Sequence, residues 1–167
     1  MVFWITGLSG AGKTAVAREL SALLAADGHA PIVLDGDDLL EVLQAGDAYD
    51  RESRHRRAYT YARLCALLAR QGHTVVMATI ALFHDVHAWN RRNIAGYFEI
   101  YLDVPLDVLR ERDTKGIYGG GGEVVGIDVQ AQVPLRPDLV LPTHGPLTPA
   151  HAAARIYDLH LRKGHAT

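Results

Sequence analysis

Eight residues, Gly7-Leu8-Ser9-Gly10-Ala11-Gly12-Lys13-Thr14, restrict the fold of this 167-residue chain more than any other feature. They match the pattern G-x-x-x-x-G-K-[ST] at each fixed position. The run before them, Val2 to Thr6, is apolar and β-branched and ends at Gly7, which predicts a buried strand. After them Val16, Leu20, Leu23 and Leu24 recur at helical spacing, and Gly28 stands where a C-terminal cap belongs. A strand, a glycine-rich turn and a helix in that order aim successive backbone N–H groups at one point. The helix adds its positive dipole end. The segment is therefore predicted to cradle nucleotide phosphates, with Lys13 reaching the β- and γ-phosphates and Thr14 ligating Mg²⁺. A chance glycine-rich turn is the rival reading, and the strand–helix context counts against it.

The rest of the chain alternates in the same way. Strands are predicted at Pro31 to Leu34, Thr74 to Thr79, Tyr97 to Asp103 and Leu139 to Leu141. Helices are predicted at Asp38 to Leu43, Asp50 to Gln71, His84 to Ile94 and Pro105 to Arg112, with a last one from Thr148-Pro149 to Lys163. Asp50 fits an N-cap, and Ala58, Ala62, Cys65, Leu68 and Ala69 form the buried stripe of the longest helix. Gly46 to Tyr49 reads as loop, as does Thr114 to Gln132 with its four consecutive glycines, Gly119 to Gly122. This pattern predicts an α/β fold of the P-loop NTPase/kinase type, a parallel sheet of about five strands covered by helices on both faces. One domain, residues 1–167, is expected, with a mobile lid over approximately 114–132.

Composition removes several partners. The formal net charge of −2 gives no reason to expect nucleic acid or an anionic membrane, and no apolar run approaches the roughly 20 residues that span a bilayer. Cys65, the single cysteine, excludes a disulfide framework and a cysteine-based zinc site within one chain. A basic leader with a cleavage site is missing from the N-terminus, so a cytoplasmic location is the expectation. A homodimer is left open.

Ligands of open α/β sheets bind beyond the carboxyl ends of the strands. Asp35 and Asp37 leave the second strand at that edge, with Gly36 between them. One can hold Mg²⁺ or its waters and the other can accept a proton from an attacking hydroxyl; a turn with a helix N-cap is the structural alternative. Arg51 and Arg54 extend the buried stripe of their helix toward its N-terminus, which points to a bound anion. Arg56, Arg57 and Arg63 read instead as solvated. Phe83, just past a strand end, fits either a base-stacking surface or core packing. Trp89 reads as a core anchor, which leaves Asn90 and Arg91 as expected substrate contacts. His84 and His87 lie one helical turn apart, but no third ligand accompanies them. Arg112 and Thr143 are assigned to the adenine pocket.

Taken in order, these segments resemble the adenylylsulfate (APS) kinases. The likeness runs through the phosphate-binding turn, Leu34-Asp35-Gly36-Asp37, Asp50-Arg51-Glu52 with Arg56-Arg57, and Asp103-Val104-Pro105-Leu106. It continues through Arg112-Asp113-x-Lys115-Gly116-x-Tyr118, Gly126-Ile127-Asp128 and the residues around Pro137 to Leu141. The resemblance implies ATP and Mg²⁺, Asp37 as the base, Arg51 on the acceptor nucleotide, Lys115 in a closing lid, and Ile127 on the substrate side. The implied reaction moves the γ-phosphoryl group of ATP to a hydroxyl of a nucleotide-like acceptor, with Lys13, Asp37 and Lys115 as catalytic residues.

Departures fall on the acceptor side. APS kinases carry Arg where this chain has Leu40 and Asn where it has Arg54. Their aromatic residue near Gly46 is missing, and their Phe-Ile-Ser-Pro segment is replaced by Thr79-Ile80-Ala81-Leu82-Phe83. Their Lys/Arg-rich lid is shortened here to the glycine run. Leu82-Phe83-His84 leading to Trp89-Asn90-Arg91, with Val124 to Asp128, is similar to a divergent branch that includes bacterial cytidine diphosphoramidate kinases. APS and cytidine diphosphoramidate are thus both candidate acceptors. A sugar or hydroxy-acid kinase, a nucleotide switch and a non-catalytic partner subunit stay open as rivals.

Overall fold

Burial of the central strands decides the architecture. The computed structural model describes residues 1–44, 50–113, 124–126 and 130–164. Strands β1 (Val2–Thr6), β2 (Ile32–Asp35), β3 (Val75–Thr79), β4 (Tyr97–Leu102) and β5 (Leu139–Leu141) form one parallel sheet in the order β2-β3-β1-β4-β5. Every residue of β1, β3 and β4 is buried, as the apolar, β-branched runs require when both faces are covered.

Side chains of one strand point alternately to the two faces, and two cores result. Phe3 and Ile5 face one side, where they meet Leu20 and Leu24 of α1 (Lys13–Ala26) and Ile156 of α6 (Pro149–Gly164). Val2 and Trp4 face the other, against Ala62 and Cys65 of α3 (Arg51–Arg70) and Val86 of α4 (His84–Asn93). Burial pushes the Cys65 thiol up to about 12, so it packs as an apolar group. The chain leaves β1 toward β2, returns to β3 beside β1, and then crosses to β4 on β1's other edge. That reversal opens a crevice at the carboxyl end of β1, where ligands bind in such sheets.

Local signals explain most boundaries. Asp50 Oδ1 accepts from Ser53 N at 2.9 Å and starts α3, while Gly28 and Gly72, both at positive φ, stop α1 and α3. The stripe of α3 is Ala58, Tyr61, Ala62, Cys65 and Ala66, with Leu68 and Ala69 only partly buried at its edge. Helix α2 (Gly36–Val42) begins two residues before the expected Asp38, because Asp35 accepts from Asp37 N and draws the turn into the helix. A short α5 (Leu106–Glu111) follows Pro105. No helix among the described residues is long and apolar enough to cross a membrane.

Candidate active site

The turn between β1 and α1 is shaped by what its glycines leave out. Gly7 has φ +155°, and a Cβ there would sit 2.7 Å from the Leu102 carbonyl oxygen, so the turn can pass against β4 only as glycine. Gly12, at φ +88°, occupies the N-cap position of α1 in the left-handed region. Ala11 N donates to Leu8 O at 3.2 Å and closes the turn. Ser9, Gly10, Gly12, Lys13 and Thr14 line a cavity of about 470 Å³, while Gly7, Leu8 and Ala11 support the turn from behind. Lys13 Nζ donates to Leu8 O at 2.7 Å.

Next to this cradle Thr14 Oγ1 donates to Asp35 Oδ2 at 2.6 Å, and Asp35 Oδ1 accepts from Asp37 N at 2.9 Å. The Thr14 hydroxyl and the Asp35 carboxylate are a hard oxygen donor set at the cavity wall, and they fit Mg²⁺. Gly36 is tight here as well: a Cβ would meet Thr79 Oγ1 at 3.2 Å. Tyr61 OH donates to Gly36 O at 3.1 Å, and burial raises its pKa, so it stays a neutral donor at physiological pH. Asp37 lines the same cavity, on the first turn of α2.

The opposite wall is built from side chains. Arg51, Arg54 and Arg57 project into the cavity from successive turns of α3. Arg57 was expected in solvent; its three-residue step from Arg54 is the signal that places it with the others. Phe83 lines the cavity too, with the Arg51 guanidinium 5.9 Å from its ring centroid and the His55 ring edge-on at 5.0 Å. His55 Nε2 pairs with Asp85 Oδ2 at 2.7 Å, and Tyr59 OH donates to the same oxygen at 3.3 Å, fastening α3 to α4. Leu40, Leu82, Gln130 and Gln132 complete this side. No pattern in the sequence singled out Tyr61 or the two glutamines.

Other candidates lie elsewhere. Asn90 is fully buried, its Nδ2 donating to Tyr97 OH at 3.3 Å. Arg91 donates to Glu99 Oε2 at 2.7 Å and to Asp138 Oδ2 at 3.2 Å. Neither side chain reaches the cavity: both tie α4 to β4 and the approach to β5, because a glutamate in the buried strand β4 demands charged and polar partners. Expectation and structure part company on both. His87 joins that network, its Nε2 on Ala81 O at 2.9 Å and its Nδ1 3.3 Å from Glu99 Oε1. His84 Nε2 lies 2.9 Å from Val133 O. Among the described residues no cluster of His, Cys, Asp and Glu forms a metal site. Thr143 is buried behind the phosphate turn: its Oγ1 donates to Ala11 O at 2.9 Å, and its carbonyl accepts from Arg112 Nη1 at 2.9 Å. Arg112 itself lines the cavity, so only one of the two residues assigned to an adenine pocket faces it. Lys115 and Ile127 lie outside the described residues, as does most of the expected lid.

A glycine-formed anion cradle, a lysine and a paired hydroxyl and carboxylate at the carboxyl edge of a parallel sheet define a nucleotide-binding protein of the P-loop kinase class. Residues 1–142 match the family model for adenylylsulphate kinase, and the chain belongs to that family of ATP-dependent phosphotransferases acting on hydroxyl groups. It is 36% identical over 145 residues to the cytidine diphosphoramidate kinase of Campylobacter jejuni, covering 84% of each chain. Against the adenylyl-sulfate kinase of Paraburkholderia xenovorans it is 39% identical over 149 residues, covering 85% of this chain and 83% of the relative. The APS kinase of Mycobacterium tuberculosis, solved in complex with AMPPNP and APS, superposes with a TM-score of 0.85 at 32% identity over 95% of both chains.

Proposed function

We propose that this protein phosphorylates a hydroxyl of a nucleotide bearing a diphosphate-like group, with cytidine diphosphoramidate as the acceptor. One observation carries this reading: Asp37 and three guanidiniums of α3 share a single cavity with the phosphate turn. ATP lies with its phosphates in the turn, where Lys13 balances the charge of the group in transit. Thr14 and Asp35 would hold Mg²⁺, which would supply charge neutralisation for the phosphates. Arg51, Arg54 and Arg57 grip the acceptor's anionic chain. Asp37 orients the acceptor hydroxyl and takes its proton as the new oxygen–phosphorus bond forms and the bond to the β-phosphate oxygen breaks, leaving ADP. Arg112, at the cavity wall, adds charge beside the transferring group, and by the family resemblance Lys115 would join it.

The choice of acceptor rests on redistributed charge. Leu40 faces the cavity where APS kinases resemble one another in carrying arginine, and Arg54 brings a guanidinium in from the neighbouring helix instead. APS is the second reading, favoured by the 39% identity to an adenylyl-sulfate kinase. ADP release measured with cytidine diphosphoramidate, APS, shikimate and gluconate separates the readings. Stimulation by cytidine diphosphoramidate well above the others is expected; stimulation by APS alone overturns the choice, and stimulation by none removes the kinase assignment.

A further inference from the structure

At the acceptor end of the cavity, one side chain has its hydrogen-bonding polarity already decided. Gln132 Oε1 accepts from the backbone N–H of His84, the first residue of α4, at 2.8 Å. The His84 ring in turn contacts Val133 O at 2.9 Å, so α4 grips two consecutive residues of the segment that enters the cavity. A primary amide carries one carbonyl acceptor and two N–H donors. With the carbonyl turned to the backbone N–H of His84, Gln132 offers a ligand in the cavity its N–H groups first. Phe83, immediately before His84, supplies an apolar wall to the same cavity, which the arginines of α3 also line.

We propose that Gln132 reads the base of the acceptor nucleotide, donating its amide N–H to the adjacent O2 and N3 acceptors of a cytosine. The inference rests on the kinase reading above and adds the group that selects the base. Cytosine places two acceptors side by side, with its amine at the far end of the edge. The Watson–Crick edge of adenine sets its one acceptor beside an amine that needs an acceptor in return, and the Gln132 oxygen has already committed one lone pair to His84.

Gln132→Glu tests this directly, because one carboxylate oxygen can still accept from His84 N while the other replaces the amide donor. Steady-state kinetics of the intact protein with cytidine diphosphoramidate and with APS should show KM for the cytidine acceptor rising about tenfold or more, with kcat and KM for ATP little changed. The ratio of kcat/KM for APS to that for the cytidine acceptor should rise with it. Gln132→Met, which keeps the length and loses both the donor and the acceptor for His84 N, should give the same direction, and it carries the test if the glutamate variant does not fold. An unchanged ratio in a working enzyme overturns the role of Gln132 and leaves the kinase reading standing. Absence of turnover by the unsubstituted protein with either acceptor removes the kinase reading itself, and the inference with it.

Discussion

The two ends of the cavity are made of different material. The donor end is mostly backbone: a turn whose course is set by Gly7 against β4 and by the left-handed Gly12, followed by the N-terminus of α1. The opposite end, where we place the acceptor, is mostly side chain, assembled from α3, the β3–α4 junction and the segment before β5. A backbone cradle fixes charge and spacing for a triphosphate whatever lies opposite. A wall of exchangeable side chains can be re-cut for another acceptor without moving the cradle. Loss of the donor end should therefore abolish turnover for every acceptor, whereas loss at the acceptor end should change which molecule is used.

Lys13→Ala gives the largest expected effect, a fall in kcat of about 10³-fold with any acceptor, measured by coupled ADP release. A loss confined to one acceptor would break the division. Asp37→Asn should lower kcat by roughly 10²- to 10³-fold while ATP affinity by calorimetry stays within about twofold; normal transfer would show that another group takes the proton. Arg51→Ala should raise the acceptor KM by about 10- to 100-fold and leave KM for ATP alone, since a charge-assisted hydrogen bond contributes about 1.5–3 kcal/mol. Glu99→Gln should leave both KM values unchanged and lower stability in urea by roughly 2–4 kcal/mol, because it strips charge from a buried pair. The figure falls below the upper range because Arg91, 35% exposed, keeps Asp138. A shifted acceptor KM in that variant would bring Asn90 and Arg91 back into the site. Least of all, the native protein should resist iodoacetamide at pH 8, since Cys65 is buried with its thiol held up at about 12; rapid labelling without unfolding would contradict the packing of α3.

The same contrast explains what could be read in advance. The phosphate turn, the alternation of strands and helices, the caps at Asp50, Gly28 and Gly72 and the strand-edge carboxylates are local patterns, and local patterns survive translation into sequence. Arg57 was misplaced because a charged residue beside Arg56 reads as solvent-facing until the cavity wall is known. Asn90 and Arg91 read as substrate contacts because Trp89 beside them reads as a core anchor. Glu99, the buried carboxylate that recruits Arg91, looks ordinary within its strand. Gln132 carried no signal at all, since its polarity is set by a backbone N–H 48 residues away in the chain.

Asp35 joins the two ends. One of its oxygens holds Thr14 and the other holds the first turn of the helix that carries Asp37. In the proposed mechanism, nucleotide grip and alcohol activation pivot on this single fulcrum, and any replacement there should slacken both at once. Drift toward new substrates is thereby channelled into the arginines of α3, Phe83 and the 130–133 segment, where each part can be swapped while the fulcrum holds.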